Sequence, residues 1–171
     1  MIEIELHDRP LLNALSELMR RVSDPEPALR AIGEKLVEST KQRFVDGHDP
    51  LGQAWAPNTP LTLALYLGEY KSSFKKDGTL SQKGQQRLGS KKPLTGKTRA
   101  LQTTINYQIV GGTLMVGSPQ PYAAMHQFGG TTSPRSMIPG KAIPARPFLG
   151  LSDDDREGIL SIIRGYLSDA I

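Results

Sequence analysis

The stretch from Val116 to Gly150 does most to limit what this chain can fold into. It reads V-G-S-P-Q-P-Y-A-A-M-H-Q-F-G-G, then a Thr/Ser/Pro/Gly-rich gap, then I-P-A-R-P-F-L-G. A short apolar strand, Leu114 to Val116, ends in Gly117-Ser118. A compact aromatic turn at Tyr122, His126 and Phe128 follows, and Gly129-Gly130 breaks it. The chain returns as an extended segment over Ile143 to Phe148, where two prolines disfavour helix. Such a stretch builds neither a long helix nor a wide sheet. With 17 glycines, 13 prolines and 37% apolar residues among 171, a compact core with one or more long excursions fits better than a uniform fold.

The remainder supplies helices. Ile2, Ile4 and Leu6 alternate with polar residues as in a short edge strand. Asp8 caps a helix with Pro10 in its first turn, and Leu11, Leu12, Leu15, Leu18, Met19 and Val22 recur along it as one stripe. Ser23-Asp24-Pro25 separates it from a second helix, whose stripe is Leu29, Ile32, Leu36, Val37, Thr40 and Phe44; Asp46-Gly47 ends it. Residues 47–60 read as a structured loop around the single Trp55, which is expected to plug a gap in the core. Thr59-Pro60 starts a short apolar helix that fades near Gly68. Residues 94–101 open with a turn or short helix. Thr103 to Val110, Gly111-Gly112 and Thr113 to Val116 form a hairpin. Ser152 caps a last helix with Asp153, Asp154 and Asp155 in its first turn, and Ile159, Leu160, Ile162, Ile163, Tyr166 and Leu167 give its apolar face. The class is α+β: one domain over residues 1–171, with three to four helices packed on a small, mostly antiparallel sheet, plus a long basic loop.

That loop carries most of the positive charge. Nine basic residues lie between Lys71 and Arg99 with Asp77 as the one acid, so the rest of a chain of net charge +4 is slightly acidic. Residues 70–92 show little periodicity and read as a mobile excursion. Two functions compete for it: a solvated loop, and a contact to phosphates through Lys75, Lys76, Lys83, Arg87, Lys91 and Lys92.

Signatures of chemistry are few. Thr95-Gly96-Lys97-Thr98 imitates part of a phosphate-binding loop, but position 91 is Lys where that motif needs Gly, and no buried strand precedes it. His7, His48 and His126 have no companions at ligand spacing, and His126 is expected to donate to a carbonyl within the aromatic turn. No serine lies in a nucleophile-elbow context. The chain has no cysteine, so disulfides and thiolate metal sites are ruled out. No signal-peptide pattern opens it, and no apolar run spans a bilayer. No catalytic residue, cofactor or metal is expected. Arg146 and Phe148, on a proline-stiffened strand, are candidate interface anchors together with Tyr122, His126 and Phe128; an edge strand blocked by its prolines is the plainer reading of the same segment.

The order of these motifs resembles the phage virion morphogenesis family, the tail-completion proteins of Mu-like and related contractile-tailed phages and prophages. Asp49-Pro50-Leu51-Gly52-Gln53-Ala54-Trp55 is similar to its D-P-x-G-x-x-W element, and Leu94-Thr95-Gly96 with Leu101 to its L-x-x-T-G-x-L region. The likeness runs from about Ala28 to Leu167. It implies a non-enzymatic structural protein of the virion, made in the host cytoplasm. Its implied place is the head-proximal end of the tail or the neck, where it completes the tail or joins it to the head. It also implies a homo-oligomeric ring whose partners are copies of itself and neighbouring tail or neck proteins, away from membranes. The segment around residues 70–92 is long for the family, so no role is carried over to it. A nucleic-acid-binding accessory protein using residues 71–99, with non-specific DNA contact, is the alternative.

Overall fold

A computed structural model describes residues 9–136 and 138–168. The strand expected at Ile2 to Leu6 and the cap at Asp8 lie outside the described residues. Among the described residues seven α-helices and two antiparallel strand pairs make the chain α+β. The helices exceed the three or four read from periodicity because three of the additional ones are short and carry no stripe. The single sheet expected is instead two separate two-stranded pairs. The chain divides into two compact units.

The helical unit comprises the chain up to Ser39, Asn106–Gly117 and the residues from Leu151. It contains α1 (Arg9–Ser23), the first part of α2 (Glu26–Asp46), the hairpin β1 (Asn106–Val110)–β2 (Thr113–Gly117) and α7 (Asp153–Ser168). Gly111 and Gly112 both adopt positive φ, as a two-residue hairpin turn demands, and pair Val110 with Thr113. The ring of Tyr107 lies where a Cβ on Gly33 would stand, so α2 takes the hairpin at a position only glycine fills. α1 and α7 are joined through Tyr166, whose hydroxyl donates to the Asp24 carbonyl (2.6 Å) and whose own carbonyl accepts from Arg21 (2.6 Å). Ser152 caps α7 as expected: its Oγ accepts from the Asp155 N–H at 3.1 Å, and Asp155 returns the bond to the Ser152 N–H at 3.0 Å. Spacing overstated the stripes, however. Met19, Val22, Leu160 and Ile163 are exposed.

The second unit comprises Thr40–Ile105 and Ser118–Gly150, and carries the Asp49–Trp55 element, the Leu94–Leu101 region and the stretch from Ser118 to Gly150; we call it the motif unit. It holds the last turns of α2, α3 (Pro60–Gly68), a 3-10 turn (Lys71–Ser73), α4 (Gln82–Ser90), α5 (Ala100–Thr103) and α6 (Ala123–Phe128). The pair β3 (Gly130–Thr131)–β4 (Ala142–Ile143) completes it. Thr59 caps α3, its hydroxyl accepting from the Thr62 N–H at 3.2 Å.

The segment expected to be a mobile, unpatterned excursion carries regular structure. Phe74 pairs with Leu80 in a bridge, and Ser81 caps α4 by accepting from the Gly84 N–H at 3.0 Å. Gly84 lies so close to the Ser73 carbonyl that a Cβ would come within 2.2 Å of it. Backbone-to-backbone packing of this kind leaves no hydrophobic period in the sequence, so helical spacing missed it.

Candidate functional site

The motif unit is built around Phe44, Trp55 and Phe148. Asp49 starts the arrangement. Its carboxylate accepts from the Leu51 and Gln53 N–H groups (2.8 and 2.9 Å), and Gly52 turns the chain at φ 79°. The tight turn returns Ala54 alongside His48 and delivers Trp55 inward. Trp55 meets Phe44 edge-on with ring centroids 5.3 Å apart, and its indole N–H donates to the Pro147 carbonyl at 2.8 Å. The D-P-x-G-x-x-W element is therefore a device for placing one indole, and burial of Trp55 agrees with the sequence expectation.

The Pro-Ala-Arg-Pro-Phe segment meets it there. Phe148 is fully buried, 5.4 Å from Phe44 between ring centroids. Its prolines leave the strand short of partners from a regular sheet, so side chains satisfy its backbone instead. The Gln127 amide accepts from the Phe148 and Leu149 N–H groups and donates to the Leu149 carbonyl, all at 3.0 Å. Arg43, buried near the end of α2, donates to the Phe148 and Gly150 carbonyls. Arg146 reaches the other way, donating to the Ala56 and Pro57 carbonyls at 2.7 and 2.8 Å. Arg146 and Phe148, expected as interface anchors, thus also make contacts inside the unit. The stiff segment takes its backbone hydrogen bonds from side chains.

The other candidates divide. Phe128 is 78% exposed at the end of α6, and Tyr122 is 42% exposed just before it. His126 packs edge-on against Tyr122, and its Nδ1 is buried with no hydrogen-bond partner, so the donation to a carbonyl is not made from that nitrogen. Burial, then the Arg146 charge, hold its pKa below the ordinary histidine range, so the ring is neutral near pH 7. Of the six candidate phosphate ligands, Lys75, Lys76, Lys83 and Lys92 are exposed. Arg87 is half-buried, bonded to the Ser72 and Ser73 hydroxyls and stacked 4.5 Å over Tyr70. Lys91 lies 4.5 Å over the Tyr66 ring and donates to the Thr95 carbonyl; burial lowers its pKa. Lys97, in the false phosphate loop, pairs with Glu69 at 3.1 Å.

Sequence reasoning missed a cavity of about 620 Å³ within the motif unit. Leu61 and Leu65 of α3, Leu94, Ile138 and Ile143 give its apolar walls. Lys91, Lys92, Lys141, Arg146, Tyr122 and His126 also line it, and among the described residues no carboxylate does. The signal was present only as exposed leucines on a helix taken to be packed. Among the described residues no cluster of three or more His, Asp or Glu is placed to hold a metal, and no helix is long and apolar enough to cross a membrane.

The model of the phage virion morphogenesis family matches residues 6–168. The chain belongs to that family. It is 30% identical over 167 residues to the Mu-like prophage FluMu G protein 2 of Haemophilus influenzae, covering 97% of this chain and 96% of the relative. It is also 43% identical over 58 residues to the putative capsid assembly protein G of Escherichia phage Mu, covering 33% of this chain and 35% of that protein. No solved structure matches the chain. Membership in the phage virion morphogenesis family makes this a phage or prophage protein of virion structure and assembly.

Proposed function

We propose that this protein completes the tail of a contractile-tailed phage or prophage, or joins the tail to the head at the neck, and does so as a homo-oligomeric ring without catalysis. The family match over nearly the whole chain carries this reading. The relative from phage Mu is named for capsid assembly, which is compatible with action where head and tail meet. The geometry adds a division of labour: the motif residues stabilise the unit from inside, and exposed apolar groups, Phe128 and Tyr122 foremost, remain for neighbours. Its partners on this reading are copies of itself and adjoining tail or neck proteins, in the virion after assembly in the host cytoplasm.

Negative-stain microscopy of the purified protein tests the ring, with discrete closed particles expected. Deleting the gene from an inducible prophage tests the place of action. The expected lysate contains filled heads and separate tails that do not join. A lysate of normal infectious particles would contradict the reading. The nucleic-acid alternative rests on the exposed Lys75, Lys76, Lys83 and Lys92, and would show as a DNA affinity that falls steeply with salt.

A further inference from the structure

We infer that the cavity of the motif unit receives the segment Ile2 to Leu6 of a neighbouring copy. The inference rests on the oligomeric reading above and supplies its contact. Three observations carry it.

First, the cavity has unmatched positive charge. Arg146 is 7% exposed and its guanidinium bonds only to neutral carbonyls; among the described residues no carboxylate pairs with it. Lys141 has no acidic partner among the described residues either, and no Asp or Glu lines the space. A buried cation left with carbonyls alone favours an incoming anion, because the low local dielectric magnifies the attraction.

Second, the walls are apolar and open. Leu61 is 49% exposed and Leu65 60%. Leucines on one helix that face a cavity, beside Ile143, suit apolar side chains arriving in a row. The occupant must therefore be both apolar and acidic.

Third, the chain carries such a segment. Residues 2–6 read Ile-Glu-Ile-Glu-Leu. Alternate side chains of an extended strand face opposite ways, so a segment of this sequence bound in that form would offer three apolar side chains on one edge and two carboxylates on the other. Three such residues span about 13 Å, a length suited to a cavity of a few hundred Å³. No other part of the sequence alternates apolar and acidic residues in this way. The first-turn acids of the last helix, Asp153, Asp154 and Asp155, are consecutive, and Asp155 is buried in its cap. A donor segment and an acceptor cavity are different surfaces, so the contact is head-to-tail, and such contacts close into rings when the rotation allows.

The absence of cysteine permits a direct test on the full chain. One preparation carries Ile4→Cys and another Leu65→Cys; Leu65 is 60% exposed, so its change empties no buried core position. Mixed under mild oxidation, they are expected to give a disulfide-linked heterodimer faster than either variant links to itself. Adding Glu3→Lys and Glu5→Lys to the first chain should slow the link about fivefold, the scale of two partly exposed ion pairs. Adding Lys92→Glu and Lys141→Glu to the second chain should restore it. Light scattering on the same unlinked samples separates the two readings. An oligomer without the mixed dimer, or a link indifferent to the charge reversals, overturns the insertion and leaves the ring. A monomer at every concentration overturns both.

Discussion

The two units of this molecule are stabilised in different ways. In the helical unit, helices meet through ordinary devices: a reciprocal cap at Ser152 and Asp155, a tyrosine bridging α1 to α7, and a glycine that admits Tyr107. The motif unit is built from short helices, a two-residue strand pair and a small aromatic centre. Its irregular strand is held by two arginines and a glutamine bonded to backbone carbonyls and amides. The difference teaches where a family signature comes from. A segment without a sheet ladder needs particular side chains at particular places, so the motif unit shows its identity as motifs. Helices in the helical unit accept many apolar sequences, and show theirs only as periodicity.

Substitutions should separate the units by size of effect. The largest is expected at Phe148. Phe148→Ala should destabilise the protein by about 3–5 kcal/mol in urea unfolding, the usual cost of emptying a fully buried aromatic site. Phe128→Ala, the same change on an exposed ring, should stay within about 0.5 kcal/mol. Equal effects would erase the distinction between core strand and surface.

Arg146→Met comes next. It keeps an apolar stem but leaves the Ala56 and Pro57 carbonyls without their donor, costing about 1–3 kcal/mol. Relief of a buried, unpaired cation offsets part of that loss, so the lower end is expected. A stabilised variant would mean that the charge costs more in the isolated chain than its two bonds return.

In the helical unit, Ser152→Ala should cost about 1 kcal/mol, the typical worth of an N-cap, with α7 amides exchanging faster than those of α3.

The smallest effect is a pH dependence at His126. Its folded pKa lies below 6.5, so its neutral form is the one the fold accommodates. The associated stability is fully present above pH 6.5 and is lost as pH falls toward the folded pKa, because the unfolded chain then binds the extra proton. The urea midpoint of the wild type should therefore fall relative to that of His126→Gln as pH drops from 7.5 to about 5.5. Parallel profiles would remove His126 as a source.

The sequence revealed much of this fold, unevenly. Caps at Thr59 and Ser152, the Gly111-Gly112 turn and the burial of Trp55 were legible because each follows from local chemistry. α4 was not, since it packs through Gly84 onto a carbonyl and shows no apolar period. Arg146 and Phe148 were recognised as special, yet a stiff Arg/aromatic strand has the same sequence whether it docks on a partner or on its own core. Its contacts with its own core are made by Arg43, Gln127 and Trp55, up to about a hundred residues away in sequence. The cavity was invisible for the same reason, because its walls come from distant segments.

The central claim is that the two principal motifs meet in the interior of the motif unit, and Trp55 reports on that meeting by itself because it is the one tryptophan in the chain. Its fluorescence in the native protein, with acrylamide quenching, is the most direct measurement. The account predicts blue-shifted emission, poor quenching, and conversion of both toward the unfolded values in Phe148→Ala. Red-shifted, freely quenched emission in the native wild type, or an unchanged spectrum in that variant, would contradict it.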